Sequence, residues 1–230
     1  MVSLLPADAL GSHASGVRDV LVDVVRSVHD RFAEAHLVSG SRYEMGFGSQ
    51  WRDLLADSYD ALSDCGFQSH KLLPAGYKLP VVNDCLLYVW RIPDSADPAG
   101  FASSPTKKNG FSATPPDPML FEPNFGDESN AAEPSAEPNL ERVVQAAGDA
   151  MPLVLIIVQS SPRQLQSIEW AVAELDESIG KVKLHGREMV WEPEVDADEA
   201  ASEVESFDSG TPIVPAVELH EQEGMDPDAG

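Results

Sequence analysis

The stretch that most constrains this fold is Pro152 followed by six consecutive apolar residues, Leu153 to Val158. The run is far shorter than the ~20 apolar residues of a membrane-spanning helix, and the proline at its head disfavours a helix interior. A short apolar run rich in valine and isoleucine is typical of a strand that is covered on both faces. We therefore predict that residues 152–159 form the central strand of a sheet.

Two helices are expected before this strand. Apolar side chains in residues 17–32 recur at the spacing of one helical face. Ser49 can cap a second helix over residues 50–64, and Gly66 follows it, as glycine commonly follows a helix C-terminus. The side chains predicted to face inward are Val17, Val20, Leu21, Val24, Val28 and Phe32 in the first helix, and Trp51, Leu54, Leu55, Tyr59 and Leu62 in the second.

Five further stretches have the composition of strands: residues 68–73, 77–82, 85–92, 166–175 and 181–191. Turn-forming residues separate the first three, and the last two are joined in the manner of a hairpin. The predicted fold is a single α+β domain. Its two N-terminal helices pack on a mixed sheet, with a long disordered insert and a disordered acidic C-terminal tail.

The domain organisation follows from changes in composition along the chain. Eight prolines fall within residues 94–138, and a long connection of this kind is commonly disordered or functional. An alternative is that its segment 118–125, Pro-Met-Leu-Phe-Glu-Pro-Asn-Phe, docks on the core or on a partner. The expected divisions are a flexible N-terminus (1–14), a first half-domain (15–93), the insert (94–137), a second half-domain (138–191) that begins with a short helix near 139–148, and the tail (192–230).

The formal charge of −24 is concentrated outside the predicted folded parts. Residues 192–230 hold 13 acidic and no basic side chains, and such a segment is expected to remain unfolded. We expect it to attract a protein partner with a basic surface or simply to maintain solubility. Within it lies an apolar island whose candidate partner-binding residues are Ile213, Val214, Val217 and Leu219, which can bind in an extended conformation.

Catalytic and metal chemistry find little support in the residues. Ser160 and Ser161 lack a nucleophile-elbow motif, and the six histidines are not at zinc-ligand spacing. Cys65 and Cys85 are expected to be structural thiols. Gly46-Phe-Gly48 is too short a pattern to indicate a phosphate loop. We predict no cofactor and no metal.

The order helix, three strands, helix and strand over about 110 residues resembles the core of restriction-endonuclease-type nucleases. That resemblance implies a catalytic acid on the second strand and a Glu-x-Lys pair on the third. Asp84 and Glu44 are the candidate acids, but Cys85-Leu-Leu-Tyr-Val-Trp-Arg-Ile92 holds neither a carboxylate nor a lysine. A member of this family with such a strand is expected to be inactive, because too few carboxylates remain to hold a divalent ion.

The acidic tail is not expected to bind nucleic acid, because both are negatively charged. The alternative surface for nucleic acid is the basic stripe of Lys181, Lys183, His185 and Arg187 on the last strand. Without an apolar leader or a membrane span, we expect a soluble protein of a reducing cytoplasm. The function predicted from sequence is a non-enzymatic binding or adaptor protein that uses its tail or insert. The alternative is the nuclease-like protein or its inactive relative, acting on foreign DNA.

Overall fold

The computed structural model describes residues 5–92, 96–116, 123 and 150–193. Within them, helices pack against a six-stranded mixed sheet, which confirms the predicted α+β class. The helices are α1 (Pro6–Leu10), α2 (Ala14–Ser39), α3 (Met45–Gly48), α4 (Trp51–Asp64) and α5 (Pro105–Asn109). The strands are β1 (Gln68–Leu72), β2 (Tyr77–Val82), β3 (Cys85–Ile92), β4 (Leu153–Ser161), β5 (Gln164–Asp176) and β6 (Lys181–Trp191).

The strands lie in the sheet in their chain order, from β1 to β6. Every neighbouring pair is antiparallel except β3 and β4, which run parallel from Leu86 opposite Leu153 to Ile92 opposite Gln159. The six apolar residues of β4 are each at most 1% exposed. The apolar run is therefore the covered central strand that its composition predicts. The hairpin predicted for the last two strands is also formed.

One face of the sheet, the helix face, is covered by α1, α2 and α4. Leu21 of α2 and Leu54 of α4 are fully buried in the same apolar cluster as strand side chains such as Ile156 and Ile168. The buried stripe of α2 is rotated by one position from the predicted one: it is made by Val17, Leu21, Val25, Val28 and His29, while Val20 and Val24 are only partly buried. No helix among the described residues has the length and apolar character needed to cross a membrane.

The N-terminal residues are more ordered than their sequence indicates. The prediction of a flexible segment over 1–14 is wrong for residues 5–14, which form α1, a 3₁₀ turn and the start of α2. Leu10 is fully buried in the core, and the Asn83 side-chain amide donates a hydrogen bond to the Ala9 carbonyl over 2.6 Å. A five-residue helix is too short to show a periodicity, so only its tertiary contacts reveal it.

The opposite face of the sheet, the insert face, is covered by the first part of the insert. Because β3 and β4 are adjacent and parallel, the chain must return across the sheet between them. Residues 96–116 are folded over this face, where Phe101 is fully buried and the Met151 N–H donates to the Ala113 carbonyl over 2.7 Å. The prediction of a disordered insert is therefore wrong for residues 96–116.

Several sequence predictions lie outside the described residues. They concern the rest of the insert apart from Pro123, the proposed docking of the segment 118–125, the short helix near 139–148 and the acidic tail beyond Pro193. The candidate partner-binding residues Ile213, Val214, Val217 and Leu219 belong to this part of the chain.

Candidate functional site

A cleft of about 390 Å³ opens on the insert face, at the point where β2 and β3 separate. We call it the aromatic cleft. Four aromatic side chains and one lysine dominate its wall: Trp51, Tyr77, Tyr88, Trp90 and Lys107. The remaining lining residues are Gly48, Leu55, Val89, Arg91, Ser104 and Thr106. Its size and mostly apolar wall are those of a small-ligand or peptide-anchor site.

The cleft exists because β2 and β3 pair over only two residue pairs. Val82 lies opposite Cys85 and Val81 opposite Leu86, and the ladder ends there. The same register would place Pro80 opposite Leu87. Proline has no N–H to donate, so it cannot complete the ladder at this position. Beyond Pro80 the two strands diverge, and α4 contributes Trp51 and Leu55 to the gap.

The insert forms the wall opposite α4. The Ser104 hydroxyl caps α5 by accepting the Lys107 backbone N–H over 3.3 Å, and Pro105 occupies the first helical turn, where a missing N–H costs nothing. Phe101 anchors the segment below this helix. Its ring meets Tyr88 and Trp90 edge-on at centroid distances of 4.9 and 5.2 Å. The sheet thus positions the insert through aromatic contacts.

Of the two cationic side chains that line the cleft, Arg91 is hydrogen-bonded to Ser160, and the other is Lys107. Its ammonium lies 4.6 Å from the centroid of Trp90 and 5.0 Å from that of Phe101, both within cation–π range. Burial lowers the pKa of Lys107 from its usual 10.5. No carboxylate lines the cleft among the described residues. The positive charge is therefore partly desolvated and available to an anion.

Tyr88 shows how strongly water is excluded at the floor of the cleft. Burial, with a smaller contribution from Tyr77, raises the pKa of Tyr88 to about 12. The phenol therefore stays neutral throughout the physiological range, and Tyr88 offers an apolar ring and an O–H rather than a charge. Together with Trp51 and Trp90 it makes a surface suited to apolar or aromatic groups.

The two carboxylates proposed for a nuclease site are not brought together. Asp84 is exposed in the turn before β3, with a positive φ of 58°. Glu44 is three residues before Phe47, whose ring lies 4.9 Å from the guanidinium of Arg91 near the far end of β3. Arg91 lies seven positions after Asp84 along the strand, a span of about 23 Å. Within the described part of the chain, no three His, Cys, Asp or Glu side chains are grouped to hold a metal.

Ser160 is a structural residue in this fold. It is fully buried, and its hydroxyl and carbonyl accept hydrogen bonds from Arg91 at 3.1 and 2.8 Å. The nearby imidazole of His29 is bonded instead to the Ser161 carbonyl, at 3.2 Å. This arrangement gives Ser160 a cationic donor in place of the general base that a nucleophile needs.

The basic stripe on β6 is largely neutralised by neighbouring carboxylates. Lys181 pairs with Asp97 at 3.9 Å and Lys183 with Asp176 at 3.3 Å. His185 lies 2.8 Å from Glu174, and Arg187 pairs with Glu169. A phosphate backbone would have to displace these carboxylates, so the stripe should bind nucleic acid more weakly than its sequence suggests.

The sequence predicted that Trp51 faces inward and that Tyr77, Tyr88 and Trp90 lie in strands, but it assigned Lys107 to a disordered insert. The missed signal is the parallel pairing of β3 with β4, which requires a crossover over one face of the sheet. Comparisons of the chain with protein-family models, with curated proteins and with solved structures found no significant match.

Proposed function

We propose that this protein is a non-enzymatic binding protein, an adaptor that takes its ligand in the aromatic cleft. The observation that carries this proposal is a half-buried lysine in an aromatic wall that holds no carboxylate among the described residues. The chain has a net charge of −24, and within its described residues a cleft of this kind is suited to an anion.

The ligand that fits has an apolar or aromatic body and one anionic group. Trp51, Tyr88 and Trp90 supply apolar area, which is the main source of affinity in such sites. Lys107 is already partly desolvated, so an incoming anion meets a charge that has lost some of its competing water. Part of the insert forms the wall, which agrees with a binding role for that segment.

Binding of anilinonaphthalene sulfonate, an apolar aromatic anion, tests the proposal directly. We expect the folded protein to bind one equivalent and the dye fluorescence to rise. The substitution Lys107→Ala removes the positive charge and should weaken dye binding about tenfold. Trp90→Leu should weaken it similarly by removing the aromatic surface that the dye contacts.

The chain offers a matched control for each variant. Lys108 is the next residue of α5 and is exposed outside the cleft, so Lys108→Ala should leave dye affinity unchanged. Trp191 is also half-buried but packs against Arg26 at the helix face, which makes Trp191→Leu the control for Trp90→Leu. Equal dye binding by all four variants, or none by the unaltered protein, would refute the cleft as the binding site.

The acidic tail supplies the second part of the proposal, a protein partner with a basic surface. Its support is compositional: 13 acidic and no basic side chains in residues 192–230, which attract cations at long range but confer little specificity. Changing Ile213, Val214 and Val217 to serine should abolish partner capture at all salt concentrations, whereas deleting 192–210 should mainly slow association at low salt. The two free cysteines favour the reducing cytoplasm as the place of action.

A further inference from the structure

The edge of β3 that faces the aromatic cleft carries main-chain groups directed toward β2. At the opposite edge of β3, which faces β4, the Leu86 N–H donates a hydrogen bond to the carbonyl of Pro152 over 2.9 Å. Pro152 is the residue directly before β4. Main-chain groups of successive strand residues point alternately to the two sides. Tyr88 and Trp90 therefore face β4 like Leu86, and the N–H and C=O of Leu87 and Val89 face β2 and the cleft.

Val89 lines the cleft through its main chain. Its side chain belongs to the core of the helix face and is 3% exposed, whereas the cleft lies on the insert face. Continuing the β2 register would place Lys78 opposite Val89, but the pairing ends at Val81. No strand among the described residues is paired with β3 along this part of its edge.

We propose that the aromatic cleft accepts an extended acidic peptide of a partner protein, which adds as a strand to the cleft-side edge of β3. This inference rests on the proposed binding function and names its ligand class. Added strands gain affinity from main-chain hydrogen bonds and specificity from alternate side chains that enter pockets. The main chain of Val89 supplies the first, and the wall of the cleft supplies the second.

The chemistry of the wall determines which peptide fits. Alternate residues of an added strand would lie on the face of the sheet that carries Trp90 and Lys107. A carboxylate at one of these positions would pair with Lys107, and an apolar residue two positions away would pack on Trp90 or Trp51. A small aromatic acid also reaches Lys107, but it makes none of the strand-edge hydrogen bonds.

The test uses the fluorescein-labelled hexapeptide Thr-Glu-Thr-Val-Thr-Glu, whose glutamate and valine side chains lie two positions apart on one face of a strand. It is titrated against the full chain by fluorescence anisotropy. We expect saturable binding that weakens about tenfold in Lys107→Ala and is unchanged in Lys108→Ala. The charge-reversed peptide, with lysine in place of each glutamate, should not bind. These results would show that the cleft selects an acidic peptide.

N-methylated versions of the same hexapeptide test the strand addition without altering the protein. Methylation of two alternate amides that face β3 should lower affinity about tenfold or more, because each methyl removes a donor and blocks pairing. Methylation of the intervening amides should have little effect. If both sets of N-methylated peptides lose affinity equally, or if neither set loses affinity, strand addition is wrong.

A protein variant provides the complementary measurement. Val89→Pro removes the N–H that faces the cleft and leaves the bonds of β3 to β4 in place, so it should weaken peptide binding more than Val89→Ala does. Val89→Ala, which keeps the N–H, is its control, and circular dichroism verifies folding. If the dye binds the cleft and no hexapeptide does, the inference fails and the binding function stands. If neither binds, the proposed function fails as well.

Discussion

The two faces of the sheet are closed in different ways. The helix face is covered by the regular helices α2 and α4, whose leucine and valine side chains interdigitate with the strands. The insert face is covered by residues 96–116, a segment with only short helical turns, held by the aromatic cluster around Phe101. The helix face is sealed along α2 and α4, whereas the insert face leaves a cleft beside β3.

This difference shows how one sheet can separate stability from binding. Regular helices match the strands over long distances and bury apolar side chains efficiently. An irregular connection buries less, but it brings a serine, a threonine and a lysine to the rim of an aromatic surface. Stability should therefore depend most on the helix face, and ligand specificity on the insert face.

The largest effect is expected on the helix face, from Ile156→Asp. Ile156 is fully buried at the centre of β4, and an unpaired carboxylate there would be strongly disfavoured. We expect insoluble protein, or a loss of about 4 kcal/mol or more in the free energy of unfolding measured with urea. Gln159→Asp, near the end of the same strand and only half-buried, should remain folded. A soluble Ile156→Asp protein with unchanged melting would contradict the closed helix face.

Phe101→Ala tests whether the insert is an integral part of the insert face. Phe101 is fully buried among Tyr88, Trp90 and Phe111. Its removal should cost about 3–5 kcal/mol and weaken dye binding, because the anchor of the cleft wall is lost. Phe111→Ala, at a half-buried position, should cost less. A change near zero for Phe101→Ala, measured by urea unfolding, would mean that the segment is not needed to cover the sheet.

Tyr88 makes the stability of the insert face sensitive to alkaline pH. Its pKa is about 12 in the fold against 10.0 for an ordinary tyrosine. Below pH 10 the phenol is neutral in both states. As pH rises from 10 toward 12 the unfolded chain deprotonates first, so stability is lost, by up to about 3 kcal/mol. In Tyr88→Phe, the free energy of unfolding measured with urea should not show this loss between pH 10 and 12. Tyr43 is exposed, so Tyr43→Phe should show the same loss as the unaltered protein.

The smallest effect is expected at the far edge of the sheet, on β6. Lys183→Gln removes an exposed ion pair with Asp176, which should change the free energy of unfolding by less than ~0.5 kcal/mol. Because the stripe is already paired with carboxylates, DNA retention on a low-salt column should be negligible in both proteins. Salt-dependent retention that decreases in Lys183→Gln would restore β6 as a nucleic-acid surface.

The sequence alone predicted α2, α4 and the six strands. The apolar run after Pro152 marked the central strand, and the strand boundaries of β1, β2 and β3 were predicted within one residue. These signals are local, because periodicity and turn residues act over a few positions. The end of the β2–β3 ladder was also encoded locally, in Pro80, although its consequence for the shape of the cleft was not evident.

Only the tertiary structure decided what the insert does. Nothing in residues 96–116 has a helical or strand period long enough to predict order, and Phe101 resembles an isolated apolar residue in a polar connection. Its order comes from a nonlocal event, the parallel pairing of β3 with β4, which requires the chain to cross the sheet and offers it an uncovered aromatic face. Lys107 reaches the cleft for the same reason. Contacts between residues distant in the chain are absent from any short window of sequence, so the site emerges only when the sheet is assembled.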